Sequence, residues 1–294
     1  MRIAFGHSFD EGLRAVNHAA EELALAQQRV ASGRRIHVPS DDPAGSAQAI
    51  VERSSLASLD AYQRAAQSAD SRLAVADVTL ADIVSQLTGA KTAAVAAHSS
   101  SRTTEQLQAY AGEVLGIRDA IFGDINTRFG GTYLFAGTGV NPPYAAVGGG
   151  FTAYQGTTTP LSVDLTTDRT AQVSFDGSAI LGAPVHILDQ LTTLATAIRT
   201  GNTAGIDAGI AAIDAAFDRA TFAEAQVGIA QRTIADVGEQ ITAARIGTQS
   251  RISRIEDVNM AEAISDLNRA EIAQQSTLGS FATLARLTLL DFLK

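Results

Sequence analysis

Apolar residues recur along most of the chain at alternating spacings of three and four, the pattern of amphipathic helices packed along a seam. The first series is Phe9, Leu13, Val16, Ala20, Leu23 and Val30, with Gln27 in one seam position. It predicts a helix ending near Ser32-Gly33, where glycine supplies a left-handed C-terminal residue. The loop GRRIHVPS follows. Ser40 is the expected N-cap of the next helix, with Asp41 and Asp42 in its first turn, where the helix dipole favours anions. Pro43 is tolerated there because its missing N–H has no intrahelical partner. Then Leu59, Tyr62, Ala66, Ala69, Leu73, Ala76, Leu80, Ile83, Leu87, Ala90, Ala94 and Ala97 repeat without a slip. A helix from Asp42 to Ala97 would run about 80 Å at 1.5 Å per residue, far longer than a usual globular helix and suited to a coiled-coil-like bundle.

The stretch His98 to Arg102 interrupts this pattern. Thr103 with Gln106 resembles a capping box that restarts a helix, with Leu107, Tyr110, Val114, Ile117, Ile121 and Ile125 as its apolar face. At Phe129-Gly130-Gly131 the composition shifts. Residues 130 to 183 are rich in Gly, Thr and Pro, and stretches such as TAYQG, LSVDL and AQVSF alternate as short strands do. This predicts a small β-rich domain inserted between helices, peripheral to assembly, whose removal should leave the helical rod folded. Helical spacing returns at Val185. It carries Ile234, Val237, Ile241, Ala244, Thr248, Ile252 and Ile255, then Ile264, Leu267, Leu278, Phe281, Leu284, Leu287 and Leu290. The predicted fold is mainly α with an inserted β-rich domain. The N- and C-terminal segments together build a long coiled-coil-like helical rod. The expected segments are 1–42 (terminal helix and loop), 43–130 (first part of the rod), 131–184 (β insertion), 185–255 (second part of the rod) and 256–294 (terminal helix).

Composition supports thin, close-packed helices over a thick core. The hydrophobic fraction is 46% but alanine dominates it, aromatics make up 5%, and there is no Trp. A net charge of −9 argues against nucleic-acid binding through a basic surface. Absence of cysteine removes disulfides, thiolate metal sites and cysteine nucleophiles. No window approaches the roughly 18 apolar residues of a membrane span, and MRIAFGHSFDEGLRAV has no apolar stretch of signal-peptide length. No membrane insertion is expected.

Chemistry is sparse. The five histidines, His7, His18, His37, His98 and His186, read as surface or loop residues without carboxylates at metal-ligand spacing, and HExxH is absent. Asp41 and Asp42 are adjacent and make a poor acid/base dyad. Gly148-Gly149-Gly150 lacks the Lys and Ser/Thr of a phosphate loop and reads as a flexible loop, and no GxSxG elbow occurs. No catalytic, cofactor-binding or metal residues are expected, and the chain is read as a non-enzyme. The terminal seams differ from the central one. A lone pair of thin helices has little neighbouring mass, so these seams are expected to be covered by other copies of the chain. The expected assembly residues are Leu13, Val16, Leu23, Val30, Ile264, Leu267, Leu278, Phe281, Leu287, Leu290 and Phe292.

Two stretches carry a resemblance. Ser32-Gly33-Arg34-Arg35-Ile36 followed by Pro39-Ser40-Asp41-Asp42-Pro43-Ala44-Gly45 resembles the N-terminal signature of bacterial flagellins and their hook-associated relatives. Ile255 to Leu267 and Ala270 to Gln275 resemble the C-terminal signature. The prolines of PSDDPAG, the run Gly131 to Gly137, Pro142-Pro143, Tyr154-Gln155-Gly156 and the ending Leu287 to Leu293 lean toward the hook-associated branch over filament subunits. The resemblance implies a signature loop made of Ser32, Gly33, Arg34, Pro39, Ser40, Asp41, Asp42 and Pro43. It implies export through the flagellar type III channel without a cleaved signal, and an extracellular place at the hook–filament junction. The implied partners are other copies of the chain in a ring-like layer, a first junction protein on the hook, flagellin, and a cytosolic export chaperone on the C-terminal helix. A filament subunit is the alternative within the family, and a cytosolic coiled-coil regulator or signalling module the alternative outside it.

Overall fold

A computed structural model describes the backbone of residues 2–99 and 102–292 and the side chains of residues 7, 9–99 and 102–283. The element order is α1 (Arg2–Ser32), α2 (Pro43–Ala97), α3 (Thr104–Ile125), β1 (Arg128–Phe129), β2 (Thr132–Tyr133), β3 (Ala146–Val147), β4 (Gly150–Phe151), β5 (Ser162–Asp164), β6 (Thr170–Gln172), α4 (Gly177–Leu181), α5 (Ile187–Arg199), α6 (Thr203–Glu256) and α7 (Met260–Phe292). The chain forms two compact units, Met1–Ser58 with Ala244–Lys294, and Leu59–Ala243. The five segments expected from the sequence are thus grouped differently, and the β-rich stretch is not a body of its own.

The unit Leu59–Ala243 is built on the unbroken seam of α2. Ala66, Ala69, Leu73, Ala76, Leu80, Ile83, Leu87, Ala90, Ala94 and Ala97 are all buried, and Leu59 and Tyr62 pack at the margin of the same core. The apolar composition of α2 makes it long and apolar enough to cross a membrane, contrary to the expectation above. Its leucines and alanines along this seam lie in the protein core. The helix α3 begins with the predicted capping box. The Gln106 N–H donates to Thr103 Oγ1 at 3.4 Å, and the Thr103 N–H donates to Gln106 Oε1 at 3.1 Å. Two backbone donors that the first helical turn leaves open are satisfied in this way.

Three two-stranded antiparallel sheets pair β1 with β2, β3 with β4, and β5 with β6. At two or three residues each, such strands cannot bury enough surface to stand alone. They share the helical core. Leu134, Phe135, Tyr144, Leu165, Val173 and Phe175 belong to one cluster with Leu73, Leu80 and Ile121. Arg72 of α2 ties this region down. Its Nε donates to the Val173 carbonyl at 2.7 Å, Nη2 to the Tyr133 carbonyl at 2.8 Å, and Nη1 to Thr132 Oγ1 at 2.7 Å. The β stretch is therefore part of the core and not a peripheral insertion. The glycines expected to form a flexible loop make the tight β3–β4 hairpin turn, with Gly148 at φ +59° and Gly149 at φ +89°. That backbone suits the right-handed twist of a hairpin and excludes most side chains.

Two readings of the histidines change. His186 is buried, edge-on to Tyr144 at 5.1 Å between ring centroids, and is not a surface residue. His7 and His18 each sit one helical turn before a carboxylate, at 3.5 Å from Glu11 and 3.6 Å from Glu22. No group of three or more potential metal-ligating side chains occurs among the described residues.

Candidate functional site

The unit Met1–Ser58 with Ala244–Lys294 contains both stretches that the sequence marked out. In it α1 lies along α7, and the Phe9 and Phe281 rings meet with centroids 5.0 Å apart. Gly12 makes room, since a Cβ there would stand 2.8 Å from the Phe281 ring. The covered face of α1 runs through Gly12, Val16, Ala19, Leu23, Ala26 and Val30, with Ala19 and Ala26 the most buried; on α7, Ala263 is buried. Small side chains at the tightest positions let two helices approach closely. They leave larger apolar side chains outside: Leu13, Leu25, Ile264, Ile272 and Leu278 are between 44% and 65% exposed.

Of the expected assembly residues, Leu13, Ile264 and Leu278 are exposed, while Val16, Leu23, Val30, Leu267 and Phe281 are half-buried. Leu287, Leu290 and Phe292 lie outside the described side chains. Leu25 and Ile272 escaped the sequence reading because both stand off the heptad seam. An apolar residue on the polar side of a helix was the signal that could have found them. A groove of about 470 Å³ lies beside Leu25, with Ala26, Ala270 and Ala273 as its apolar lining and Glu22, Arg29, Asp266 and Arg269 as its charged lining.

The signature loop begins where α1 stops. Gly33 adopts φ +68°, and its N–H donates to the Arg29 carbonyl at 2.9 Å. Ser32 Oγ donates to the Gln28 carbonyl at 2.8 Å and lies 3.0 Å from His37 Nε2. The Asp41 carboxylate accepts the backbone N–H groups of Val38 and His37 at 3.0 and 2.8 Å, which hold its carboxyl below the ordinary carboxylate range. Asp42, not Ser40, caps α2. Its Oδ1 accepts the Gly45 N–H at 2.9 Å and its Oδ2 accepts from Arg35 at 3.0 Å. The first contact and then the second depress its pKa. Pro43 is then the first helical residue, where its fixed φ is an advantage. Ser40 is exposed, and Asp41 belongs to the loop. Gly45 is required by this packing, because a Cβ there would lie 2.5 Å from Asp42 Oδ2 and 2.9 Å from Ile36 Cδ1.

The loop is paired with the turn between α6 and α7. The Arg35 N–H donates to the Glu256 carbonyl at 2.6 Å, and the Val258 N–H donates to the Gly33 carbonyl at 2.9 Å. Arg34 and Asp257 face each other in this antiparallel bridge. Arg35 Nη2 also donates to the Ile255 carbonyl at 2.9 Å. The two sequence signatures are thus hydrogen-bonded to each other across more than two hundred residues of chain.

This joining of an N-terminal and a C-terminal helical region matches one family. Residues 11–139 match the bacterial flagellin N-terminal helical region, and residues 210–293 match the bacterial flagellin C-terminal helical region. The chain belongs to the bacterial flagellin family. Among flagellin-family relatives, it is 24% identical over 186 residues to the flagellar hook-associated protein 3 of Salmonella typhimurium, covering 62% of this chain and 57% of that protein. It is 25% identical over 138 residues to the protein of the same name from Escherichia coli, covering 47% of this chain and 44% of that one. The aligned part thus spans about half the length of the curated relatives it matches. A putative flagellar hook-associated protein from Vibrio parahaemolyticus has a similar fold, with TM-score 0.70, 18% identity, and coverage of 74% of this chain and 100% of that one. Hook-associated protein 3 from Legionella pneumophila gives TM-score 0.63 at 12% identity, covering 70% of this chain and 98% of that one. Flagellin-family membership sets aside the cytosolic regulator reading.

Proposed function

We propose that the chain is a structural, non-enzymatic subunit of the flagellum that forms an adaptor layer of its own copies between hook and filament. The names of its relatives support this reading. One observation carries it. The paired helices α1 and α7 cover one face, with Ala19, Ala26 and Ala263 buried and the Phe9 and Phe281 rings in contact, while Leu13, Leu25, Ile264, Ile272 and Leu278 stand exposed. Five such side chains on one thin helix pair offer a surface that neighbours in an assembly would cover. Those neighbours are further copies of the chain, a first junction protein on the hook side and flagellin on the filament side. Export proceeds through the flagellar type III channel without a cleaved signal, with a cytosolic chaperone holding the C-terminal helix.

The test changes the exposed side chains and spares the contact between the helices. A variant carrying Leu13→Gln, Leu25→Gln, Ile264→Gln and Ile272→Gln should keep the helical content and melting behaviour of the monomer. It should fail to restore filaments in cells lacking the parental gene. Full restoration of filaments by this variant would overturn the assignment of these faces to assembly.

A further inference from the structure

We propose that the α1–α2 loop and the α6–α7 turn form one charge-locked latch, which holds or releases the bases of both terminal helices together. The inference concerns the unit Met1–Ser58 with Ala244–Lys294 alone and does not rest on the assembly reading. None of residues 33–42 is buried, and none of residues 257–260 is buried. No apolar core therefore holds these two segments together, and polar contacts must do so.

Those contacts are arranged as a lock. Arg35 is the hub, since its Nη2 donates to the Asp42 carboxylate that caps α2 and to the Ile255 carbonyl in the last turn of α6. Two crossed ion pairs flank it. Arg251 of α6 reaches Glu52 of α2 at 2.9 Å, and Arg53 of α2 reaches Glu256 of α6 at 2.6 Å. Each helix thus contributes one acid and one base. Exchange of partners between the pairs would set Glu52 against Glu256 and Arg53 against Arg251, so charge admits only one pairing. The carboxylates are the covered members, with Glu256 at 6% and Glu52 at 17% side-chain exposure against 52% for Arg53 and 48% for Arg251. Closure therefore withdraws two carboxylates from water, which opposes it, and sets them against arginines, which favours it. Two opposed terms of this kind leave a contact that opens far more readily than an apolar seam. The half-exposed arginines make it sensitive to salt.

Because Arg35 bonds both segments at once, and because the backbone bridge joins residues 33–35 to 256–258, neither segment can loosen alone. Opening frees the last turn of α1 and the first turn of α7 in one step.

Hydrogen exchange followed by mass spectrometry on the isolated full chain tests this. Raising sodium chloride from about 0.05 M to about 1 M, where the screening length falls to about 3 Å, should speed exchange in segments 33–45 and 254–262 together. The expected acceleration is about tenfold, with the buried α2 seam of residues 66–97 unaffected. Arg35→Ala and Arg53→Glu should each speed both segments at low salt. Adding Glu256→Arg to Arg53→Glu should restore protection in both. Protection of residues 66–97 reports folding of the unit Leu59–Ala243, protection of α1 around Ala19 and Ala26 reports folding of the latch's own unit, and the salt experiment needs no variant. Exchange that responds in one segment only, or in neither, would overturn the latch. So would failure of the double charge reversal to restore protection in a variant whose α1 stays protected around Ala19 and Ala26.

Discussion

Leu80→Ala is the sharpest probe of the central seam. Leu80 is fully buried in the core that joins α2 to α3, α5, α6 and the β hairpins, while Val78, two residues earlier on the same helix, is 61% exposed. Truncating a buried leucine forfeits its transfer free energy and leaves a cavity, at a cost of about 3–4 kcal/mol. For a body of this size each kcal/mol moves the melting midpoint by about 2–4 °C, so Leu80→Ala should lower it by about 10 °C. Val78→Ala, on the solvent side, should change stability by no more than about 0.5 kcal/mol and leave the midpoint nearly where it was. Both variants are measured by far-ultraviolet circular dichroism melting on purified full chain. The contrast within one helix turn makes the assay specific to the seam, because both substitutions raise helix propensity, by at most about 0.7 kcal/mol, so propensity cannot account for a loss of stability. Equal shifts for the two variants, or a larger one for Val78→Ala, would refute the placement of the seam.

Replacing residues 140–175 with a short linker removes Tyr144, Leu165, Ala171, Val173 and Phe175 from the core, so it should lower the melting midpoint by more than Leu80→Ala does; an unchanged melt would show the β region to be dispensable. Asp41 and Asp42 have pKa values below the ordinary 3.8, so their hydrogen bonds stabilise the signature loop fully above that pH and lose this contribution as pH falls through the lower folded-state values. NMR titration of residues 36–46 should therefore show the loop loosening only in that acid range. Asp42→Asn should flatten part of the response, and loosening near neutral pH would contradict the assignment.

Long periodic stretches were legible in the sequence because a buried seam leaves its spacing in the residues themselves. Residues 66–97 and the capping box at Thr103 are of this kind. On α1 the periodicity gave the helix and part of its covered face, at Val16, Leu23 and Val30. The covered positions include Gly12, Ala19 and Ala26, whose small side chains carry no strong apolar signal, while Leu13 and Leu25 point outward. Ser40-Asp41-Asp42 offered consecutive residues able to cap a helix, and the proline decides among them, because Pro43 at the first helical position makes Asp42 the cap. The β-rich stretch looked peripheral because its strands are too short for alternation to reveal a buried face. Its burial is set by contacts such as those of Arg72, which reach 60 to 101 residues along the chain. Arg35, Arg53, Glu52 and Glu256 could not have been grouped from spacing at all. Their partners are brought together only when α2 and the end of α6 lie side by side.

The proposed adaptor layer between hook and filament is tested directly by the position and copy number of the chain in the intact flagellum. Antibody raised against the purified chain and coupled to gold should be applied to flagella isolated with their hooks attached, then viewed by electron microscopy. An adaptor layer gives label confined to one narrow band where hook meets filament. Label distributed along the whole filament would contradict it and make the chain a filament subunit.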